Sequence, residues 1–153
     1  MKIVFLDIDG VLNSGRRWSS LPSVEGADPG RKRIDRDSLP HLNAIAHDCS
    51  IVISSSWRYW KRPAQIRDCL LPFGLDPTIP FIDRTAKQGR RPRGERIMDW
   101  VRAHPTVTGF VALDDCTEML AVFDHWTQTS WRDGLLAIHI ADARRRLELP
   151  LNR

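Results

Sequence analysis

Residues 2–10 read Lys2-Ile3-Val4-Phe5-Leu6-Asp7-Ile8-Asp9-Gly10, and this stretch decides the fold. The continuous apolar run at residues 3–6 is typical of a strand that is buried on both faces of a parallel sheet. Side chains two residues apart in a strand point to the same side, so Asp7 and Asp9 can converge on one point. Neighbouring carboxylates repel each other, and a proton or a cation relieves the repulsion. The stretch therefore predicts a metal-assisted acid site at the end of the first strand.

Length and composition are those of a globular domain. The 153 residues predict a single domain, residues 1–153, that is large enough for a hydrophobic core. Three scattered cysteines favour a reducing compartment over a disulfide framework. Neither a membrane-spanning stretch nor a signal peptide is predicted, because the first apolar run is short and ends at Asp7. We therefore expect a cytoplasmic protein with no membrane partner.

The charge distribution is mildly basic. The formal net charge is +4, and arginine and lysine recur in short clusters at residues 16–17, 31–33, 58–62, 90–96 and 144–146. Such clusters favour an anionic partner, a class that includes nucleic acid. Each single cluster is equally compatible with a solvated surface that binds nothing.

Strand signals alternate with helix signals along the chain. The predicted strands cover residues 3–6, 51–53, 78–82, 107–113 and 135–140, and the predicted helices cover residues 38–47, 63–71, 94–104, 117–123 and 144–149. Residues 14–34, rich in serine, glycine, proline and arginine, are predicted to form a loop. This alternation indicates an α/β fold, a Rossmann-like three-layer sandwich around a mainly parallel five-stranded sheet.

Polar residues follow three of the predicted strands. In parallel α/β sheets, ligands bind at the carboxyl ends of the strands. If the first strand lies between the second and the fourth, one edge carries Asp7, Asp9, Ser54, Ser55, Ser56, Asp114 and Asp115. Four carboxylates at one edge favour Mg²⁺, a hard cation that prefers oxygen ligands. The five histidines lack the spacing of a metal site, so zinc is disfavoured.

The same edge carries the parts that phosphoryl transfer needs. Serine hydroxyls can donate hydrogen bonds to phosphate oxygens, and an arginine near the start of a helix can neutralise phosphate charge. With a metal, a nucleophilic carboxylate and a second acid as proton donor, the set is complete.

Four motifs carry a resemblance to a known family, and in chain order they are Phe5-Leu6-Asp7-Ile8-Asp9-Gly10-Val11-Leu12-Asn13, Ile53-Ser54-Ser55-Ser56-Trp57-Arg58, Arg93-Gly94-Glu95-Arg96-Ile97 and Val111-Ala112-Leu113-Asp114-Asp115. In this order they resemble the haloacid dehalogenase-like (HAD) superfamily. The residues of the motifs are similar to those of small HAD domains that stand alone in bacteria and phages, and to those of HAD domains fused into multi-domain RNA-repair proteins. The resemblance extends over most of the chain. The short segments between the motifs indicate a core-only HAD fold without a large cap.

The resemblance implies roles for the acidic residues. Asp7 would attack phosphorus to form an aspartyl-phosphate, and Asp9 would protonate the leaving oxygen and later deprotonate the water. Mg²⁺ would be held by the Asp7 carboxylate, the Asp9 backbone carbonyl and one or both of Asp114 and Asp115. A second acid at position 9 favours a phosphatase over a dehalogenase, which does not need that proton donor.

The resemblance leaves alternatives for the hydroxyl and for the cation. Ser55 is the preferred hydroxyl donor of the second motif and Ser54 comes next, because a shift of one residue at the strand end decides between them. Arg93 is the preferred cation of the third motif, where lysine is commoner, and the alternatives are Lys87, Arg90 and Arg91.

An open site with arginines around it suits a large anionic substrate such as a nucleic-acid end. The residues expected to contact this substrate are Ser54, Ser56, Arg58, Arg16 and Arg17. The leading hypothesis is a Mg²⁺-dependent phosphomonoesterase that acts on a nucleic-acid or nucleotide terminal phosphate. The alternatives are a small-molecule phosphatase of the same mechanism and a non-catalytic module that binds metal or a partner. Neither the oligomeric state nor a role for residues 124–153 is predicted.

Overall fold

The computed structural model describes residues 1–28, 30–87 and 90–151. Strands and α-helices alternate through these residues. The strands are β1 (Lys2–Leu6), β2 (Ser50–Ile53), β3 (Phe81–Arg84), β4 (Gly109–Asp114) and β5 (Trp126–Gln128). The α-helices are α1 (Leu39–Ala46), α2 (Pro63–Leu70), α3 (Arg93–Ala103) and α4 (Ile138–Arg146).

The strands form one sheet in the order β3-β2-β1-β4-β5, and every neighbouring pair is parallel. The α/β fold and the five-stranded sheet predicted from the sequence are confirmed. The last residue of β1, Leu6, pairs with Ile53 of β2 and with Leu113 of β4. The polar residues that follow these three therefore lie level at one edge, and β1 lies between β2 and β4 as the shared-edge hypothesis requires.

Helices cover both faces of the sheet, as strands without a polar face require. Helices α1, α2 and α4 pack on the face that carries Val4 and Leu6 of β1. Helix α3 and the 3₁₀-helix Leu120–His125 pack on the opposite face, which carries Ile3 and Phe5. Alternating side chains along β1 thus separate two hydrophobic cores and produce the predicted three-layer arrangement.

The predicted loop between β1 and α1 is tied together internally. It contains the 3₁₀-helix Trp18–Ser20 and an isolated antiparallel bridge between Ser23 and Arg33. Arg33 Nη1 donates hydrogen bonds to the carbonyl oxygens of Trp18 (3.1 Å) and Leu21 (2.8 Å). Among the described residues no second sheet is inserted here, in keeping with a core-only fold that lacks a large cap.

The last predicted strand is wrong. Residues 135–140, an apolar run typical of a buried strand, lead into α4, and the fifth strand is Trp126–Gln128. Ile138 is 77% exposed, so its apolar side chain does not mark a buried strand. The observed strand carries the buried Thr127, whose hydroxyl donates to Asp142 Oδ2 (2.8 Å) on α4. A three-residue edge strand with a polar centre presents no apolar run, so the pattern could not reveal it.

The remaining predicted elements exist, and three of them start more than two residues from the predicted position. The third strand lies at Phe81–Arg84 instead of residues 78–82. The predicted helix at residues 117–123 is the 3₁₀-helix Leu120–His125, which is interrupted at Val122 (φ −127°). The terminal helix starts six residues before the predicted position 144, at Ile138. Every helix in the described part of the chain is too short or too polar to cross a membrane.

Candidate active site

The ends of β1 and β4 fix the backbone of two acidic residues. The Asp7 N–H donates to the Leu113 carbonyl oxygen (3.0 Å), which continues the ladder between the two strands by one step. Asp114 is the last residue of β4. The side chains of Asp7 and Asp114 are both buried. Because the sheet positions these residues, their carboxylates are held without help from mobile loops.

Three carboxylates meet at this edge of the sheet. Asp7, Asp114 and Asp115 each offer one oxygen, and these three atoms lie within 4.8 Å of one another. An all-oxygen set of this kind suits a hard divalent cation such as Mg²⁺. In the described residues the cluster does not include the Asp9 carboxylate, although the sequence predicted four acids at this edge.

Arg93 is the cation that the fold brings to this cluster. Its Nη1 lies 2.7 Å from Asp7 Oδ2 and 2.6 Å from Asp114 Oδ2. Arg93 is the first residue of α3, and the adjacent Gly94 allows a close approach, since a Cβ there would lie 3.1 Å from the Met119 Cα. The third-motif arginine predicted from the sequence therefore sits beside the predicted nucleophile.

The alternative cations lie elsewhere. Arg91 forms ion pairs with Glu95 (3.0 Å) and with Asp99 on the surface of α3. The side chains of Lys87 and Arg90 are exposed, and neither forms an ion pair within the described part of the chain. Of the four basic residues considered, Arg93 alone has a described contact with the carboxylate cluster.

Electrostatics leave the cluster short of positive charge. Burial, and then the charge of Asp7, raise the pKa values of Asp114 and Asp115 above the ordinary carboxyl range, against the opposing pull of Arg93. Burial works to lower the pKa of the Arg93 guanidinium, but the charges of Asp7 and Asp114 outweigh it and raise that pKa. One guanidinium does not compensate three clustered carboxylates, so the site fits an additional cation.

Asp9 is held in a different environment from Asp7. Its Oδ1 accepts a hydrogen bond from Asn13 Nδ2 (2.9 Å), and its Oδ2 accepts one from the indole Nε1 of Trp57 (3.1 Å). The Asn13 side-chain oxygen in turn accepts the Gly10 N–H (2.9 Å). Two neutral donors thus orient the Asp9 carboxylate beside the cluster without neutralising it.

Asn13 and Trp57 are positioning residues that sequence reasoning missed. Asn13 is the last residue of the first motif. Asparagine near a glycine turn commonly forms hydrogen bonds with nearby backbone, so the sequence did contain an indication of this role. Trp57 is 1% exposed, and nothing in the sequence connects it to an acid 48 residues earlier.

The serines at the end of β2 differ in their hydrogen bonds. The backbone N–H groups of Ser54 and Ser55 both donate to the Leu6 carbonyl oxygen (3.0 and 3.3 Å). Ser55 Oγ accepts the Trp57 N–H (3.2 Å) and so caps the 3₁₀-helix Ser56–Tyr59. Ser54 Oγ is buried and has no hydrogen-bond partner among the described residues, while Ser56 is exposed.

The arginines expected to contact substrate have protein partners. Arg58 is only 2% exposed, and its Nη1 donates to the carbonyl oxygens of Ser54 and Ser55 (2.9 Å each). Burial, and then the charges of Arg96 and Arg93, lower the pKa of the Arg58 guanidinium, against the opposing pull of Tyr59.

The other two arginines lie on the segment after β1. Arg16 pairs with Asp133 (3.3 Å), and Arg17 pairs with Asp35 (2.8 Å) and Asp37 (2.7 Å). All three arginines thus have partners within the protein, and their predicted contacts with a substrate stay a prediction.

Gly10 allows the turn after β1 to pass close to the cluster. Its φ of +79° is in the left-handed region, and a Cβ at this position would lie 2.3 Å from Asp115 Oδ2. Its carbonyl oxygen accepts the Thr129 hydroxyl (2.7 Å), which links the turn to the segment after β5. A glycine is therefore required here for both its backbone conformation and the space that Asp115 occupies.

Comparison with known proteins agrees with this architecture. A family model described as "HAD domain in Swiss Army Knife RNA repair proteins" matches residues 3–140, a range that includes all four motifs and the carboxylate cluster. Comparisons with curated proteins and with solved structures found no match. The match covers most of the chain, so this chain belongs to the family of HAD domains of Swiss Army Knife RNA repair proteins.

Proposed function

We propose that this chain is a Mg²⁺-dependent phosphomonoesterase that works through an aspartyl-phosphate on Asp7. The observation that carries the proposal is the position of Asp7, buried at the edge of the sheet, within 4.8 Å of Asp114 and Asp115 and paired with Arg93. Membership of a HAD family supports hydrolase chemistry of the phosphatase type. A nucleophilic carboxylate beside a cation and a metal site is the arrangement that phosphoryl transfer requires.

The reaction would proceed in two displacements. In the first, an Asp7 carboxylate oxygen forms a bond to phosphorus while the bond to the leaving oxygen breaks, and protonated Asp9 gives its proton to that oxygen. In the second, Asp9 accepts a proton from water as the water oxygen attacks phosphorus. The acyl-phosphate bond then breaks, which releases inorganic phosphate and restores both aspartates.

The surrounding residues would stabilise charge in both steps. Mg²⁺ bound by Asp7, Asp114 and Asp115 would supply positive charge to the transferring phosphoryl group and offset the repulsion between the attacking carboxylate and the substrate. Arg93 would contact a phosphate oxygen from the start of α3. Two hydroxyls would be able to donate to phosphate: that of Ser54, which has no partner in the described residues, and that of Ser55, preferred from the sequence, whose oxygen accepts the Trp57 N–H and keeps its own proton.

The proposed substrate is the terminal phosphate of a nucleic acid or a nucleotide. Its support is the family description, which names RNA repair proteins, together with the net charge of +4 and the absence of a large cap in the described residues. A cap would enclose a small substrate, whereas an uncapped sheet edge can admit the end of a polymer.

The test compares the wild-type chain with Asp7→Asn on phosphorylated oligonucleotides, nucleotides and sugar phosphates, with Mg²⁺ and with EDTA. We expect Asp7→Asn to lower kcat by about 10³-fold or more. The matched control is Asp99→Asn, which removes a carboxylate from the surface of α3 and should retain full activity. Turnover that survives Asp7→Asn would exclude covalent catalysis at Asp7. A wild-type chain that binds metal but hydrolyses none of the substrates would favour the non-catalytic module.

A further inference from the structure

The position of Asp9 defines the side on which a leaving group departs. Asp9 delivers its proton to the leaving oxygen in the proposed mechanism, so the rest of the substrate must extend from the Asp9 side of the site. Trp57 lies on that side, since its Nε1 donates to Asp9 Oδ2 (3.1 Å). What surrounds Trp57 therefore determines which leaving group the site can accept.

Two lysines and a second tryptophan surround Trp57. The Lys32 ammonium nitrogen lies 5.2 Å from the Trp57 ring centroid and 5.1 Å from that of Trp60. The Lys61 ammonium nitrogen lies 4.8 Å from the Trp60 centroid, and the two indoles meet edge to face with centroids 5.5 Å apart. We call Lys32, Trp57, Trp60 and Lys61 the lysine–tryptophan surface.

The two ammonium groups of this surface are available to an anion. Within residues 1–28, 30–87 and 90–151, neither Lys32 nor Lys61 forms an ion pair, whereas Arg16 and Arg17 pair with aspartates. An indole face attracts an ammonium group but does not cancel its charge. The positive charge next to Trp57 and Trp60 is thus borne by these lysines and not by the arginines that the sequence suggested.

The lysine–tryptophan surface is also fixed in position. The Lys32 carbonyl oxygen accepts the Val24 N–H (2.9 Å), next to the bridge that ties the segment after β1. The N–H groups of Trp60 (2.9 Å) and Lys61 (3.2 Å) both donate to the Trp57 carbonyl oxygen. Cations on a backbone that is held in place before binding lose less entropy when they bind a polyanion.

We propose that the lysine–tryptophan surface binds the strand of a single-stranded nucleic acid whose terminal phosphate enters the site at Asp7. This inference rests on the proposed function and adds the surface that holds the strand. Lys32 and Lys61 contact the phosphodiesters next to the terminal phosphate, and the half-buried Trp60 offers a base a stacking surface. A flexible single strand can bring its end to the buried Asp7, which is 5% exposed, while its backbone follows the lysines.

The experiment compares the wild-type chain with the double variant Lys32→Ala/Lys61→Ala on two substrates. One is p-nitrophenyl phosphate, which has no strand, and the other is a short single-stranded RNA or DNA with a phosphate at its 5′ or 3′ end. The matched control is Lys2→Ala, which removes a lysine paired with Glu148 at the opposite end of β1. Binding of the labelled oligonucleotide in EDTA is measured by fluorescence anisotropy over a range of salt concentrations.

We expect the double variant to raise KM for the oligonucleotide about tenfold or more and to change kcat/KM for p-nitrophenyl phosphate by less than about twofold. The slope of log Kd against log salt should fall by about 1.4, because each of the two lysines neutralises one phosphodiester of a single strand in the wild-type complex. Lys2→Ala should change none of these quantities. RNA and DNA, and the two end positions, are separate arms that identify the natural strand.

Two results would overturn the inference. They are an unchanged salt slope in the double variant and an equal loss on both substrates. A wild-type chain that hydrolyses neither substrate would instead refute the proposed function. In that case the anisotropy measurement still decides whether the lysine–tryptophan surface binds nucleic acid.

Discussion

Two aspartates, two residues apart, differ because their partners differ. Asp7 faces a guanidinium and two further carboxylates, whereas Asp9 faces the neutral donors of Asn13 and Trp57. The proposed mechanism gives the two acids different tasks, attack on phosphorus for Asp7 and proton transfer for Asp9. The different partners of the two side chains are in keeping with this division.

The indole N–H of Trp57 gives a first prediction at this scale. Trp57→Phe removes the donor to Asp9 Oδ2 and keeps an aromatic ring, so Asp9 should be less well aimed at the leaving oxygen. A hydrogen bond to a charged group is worth about 1.5–3 kcal/mol, which corresponds to a loss of about tenfold or more in kcat. The loss should be large for an alkyl phosphate and small for p-nitrophenyl phosphate, because a good leaving group needs little protonation.

Trp100→Phe is the control for this prediction. It removes another buried indole donor, the one to Asp83 Oδ2 (2.7 Å), far from Asp9 in the sequence and without a described contact to it. If Trp100→Phe shows the same dependence on the leaving group, the effect reflects general loosening of the fold and not the orientation of Asp9.

At the scale of elements, the predictable part of the fold is the part with uninterrupted apolar runs. Strands β1, β2 and β4 are buried on both faces, and each gives a continuous apolar pattern followed at once by polar residues. Their order in the sheet followed from the assumption that β1 lies between β2 and β4, which the structure confirms. The prediction missed strand β5 because its central residue, Thr127, forms a hydrogen bond to α4 and presents no apolar side chain to the pattern.

The same distinction applies to the candidate site. Residues at strand ends could be predicted, because the sheet alone brings Asp7 and Asp114 together. The partners of Asp9 and the lysine–tryptophan surface could not be predicted, because they depend on how the segment after β1 packs against the turn after β2. Composition identified that segment as a loop, but the hydrogen bonds of Arg33 that shape it carry no sequence pattern.

The glycine turn after β1 gives a prediction for this element. Gly10→Ala should strain the backbone, at about 1–2 kcal/mol for a left-handed residue, and should also displace Asp115. With Asp115 as one of the proposed Mg²⁺ ligands, its displacement should weaken Mg²⁺ binding about tenfold or more. Isothermal titration of Mg²⁺ measures this loss.

Gly26→Ala separates the two causes. Gly26 has nearly the same φ, +76°, but a Cβ there would meet nothing within 4 Å. It should lower the free energy of unfolding by a similar amount and leave Mg²⁺ affinity unchanged. Equal Mg²⁺ affinities for the two variants would show that Asp115 does not depend on the turn.

At the scale of the whole molecule, a chain with a net positive charge carries a cluster of carboxylates at one edge of its sheet. The overall charge is +4, yet three carboxylates meet around a single guanidinium. A metal-free fold must bear this repulsion, and the rest of the structure supplies the stability that keeps the carboxylates together. A bound divalent cation would relieve the repulsion, so metal binding and folding stability should be linked.

This linkage predicts different pH trends with and without metal. Because the pKa values of Asp114 and Asp115 are raised, the folded chain binds their protons more tightly than the unfolded chain does. In EDTA these groups therefore reduce the free energy of unfolding as the pH rises from the ordinary carboxyl range, near about 4, to their raised pKa values. Mg²⁺ competes with the same protons, so its stabilising effect should grow as the pH rises.

Thermal unfolding in EDTA and in saturating Mg²⁺, measured between about pH 5 and pH 8, tests this prediction. The difference between the two Tm values should increase with pH. Every titrating group outside the site contributes equally to both curves, so the difference isolates the carboxylate cluster. Asp114→Asn removes a ligand together with its proton and should flatten the difference. A difference that is independent of pH in the wild-type chain would mean that Mg²⁺ does not compete with protons at Asp114 and Asp115, and that the ion binds at some other place.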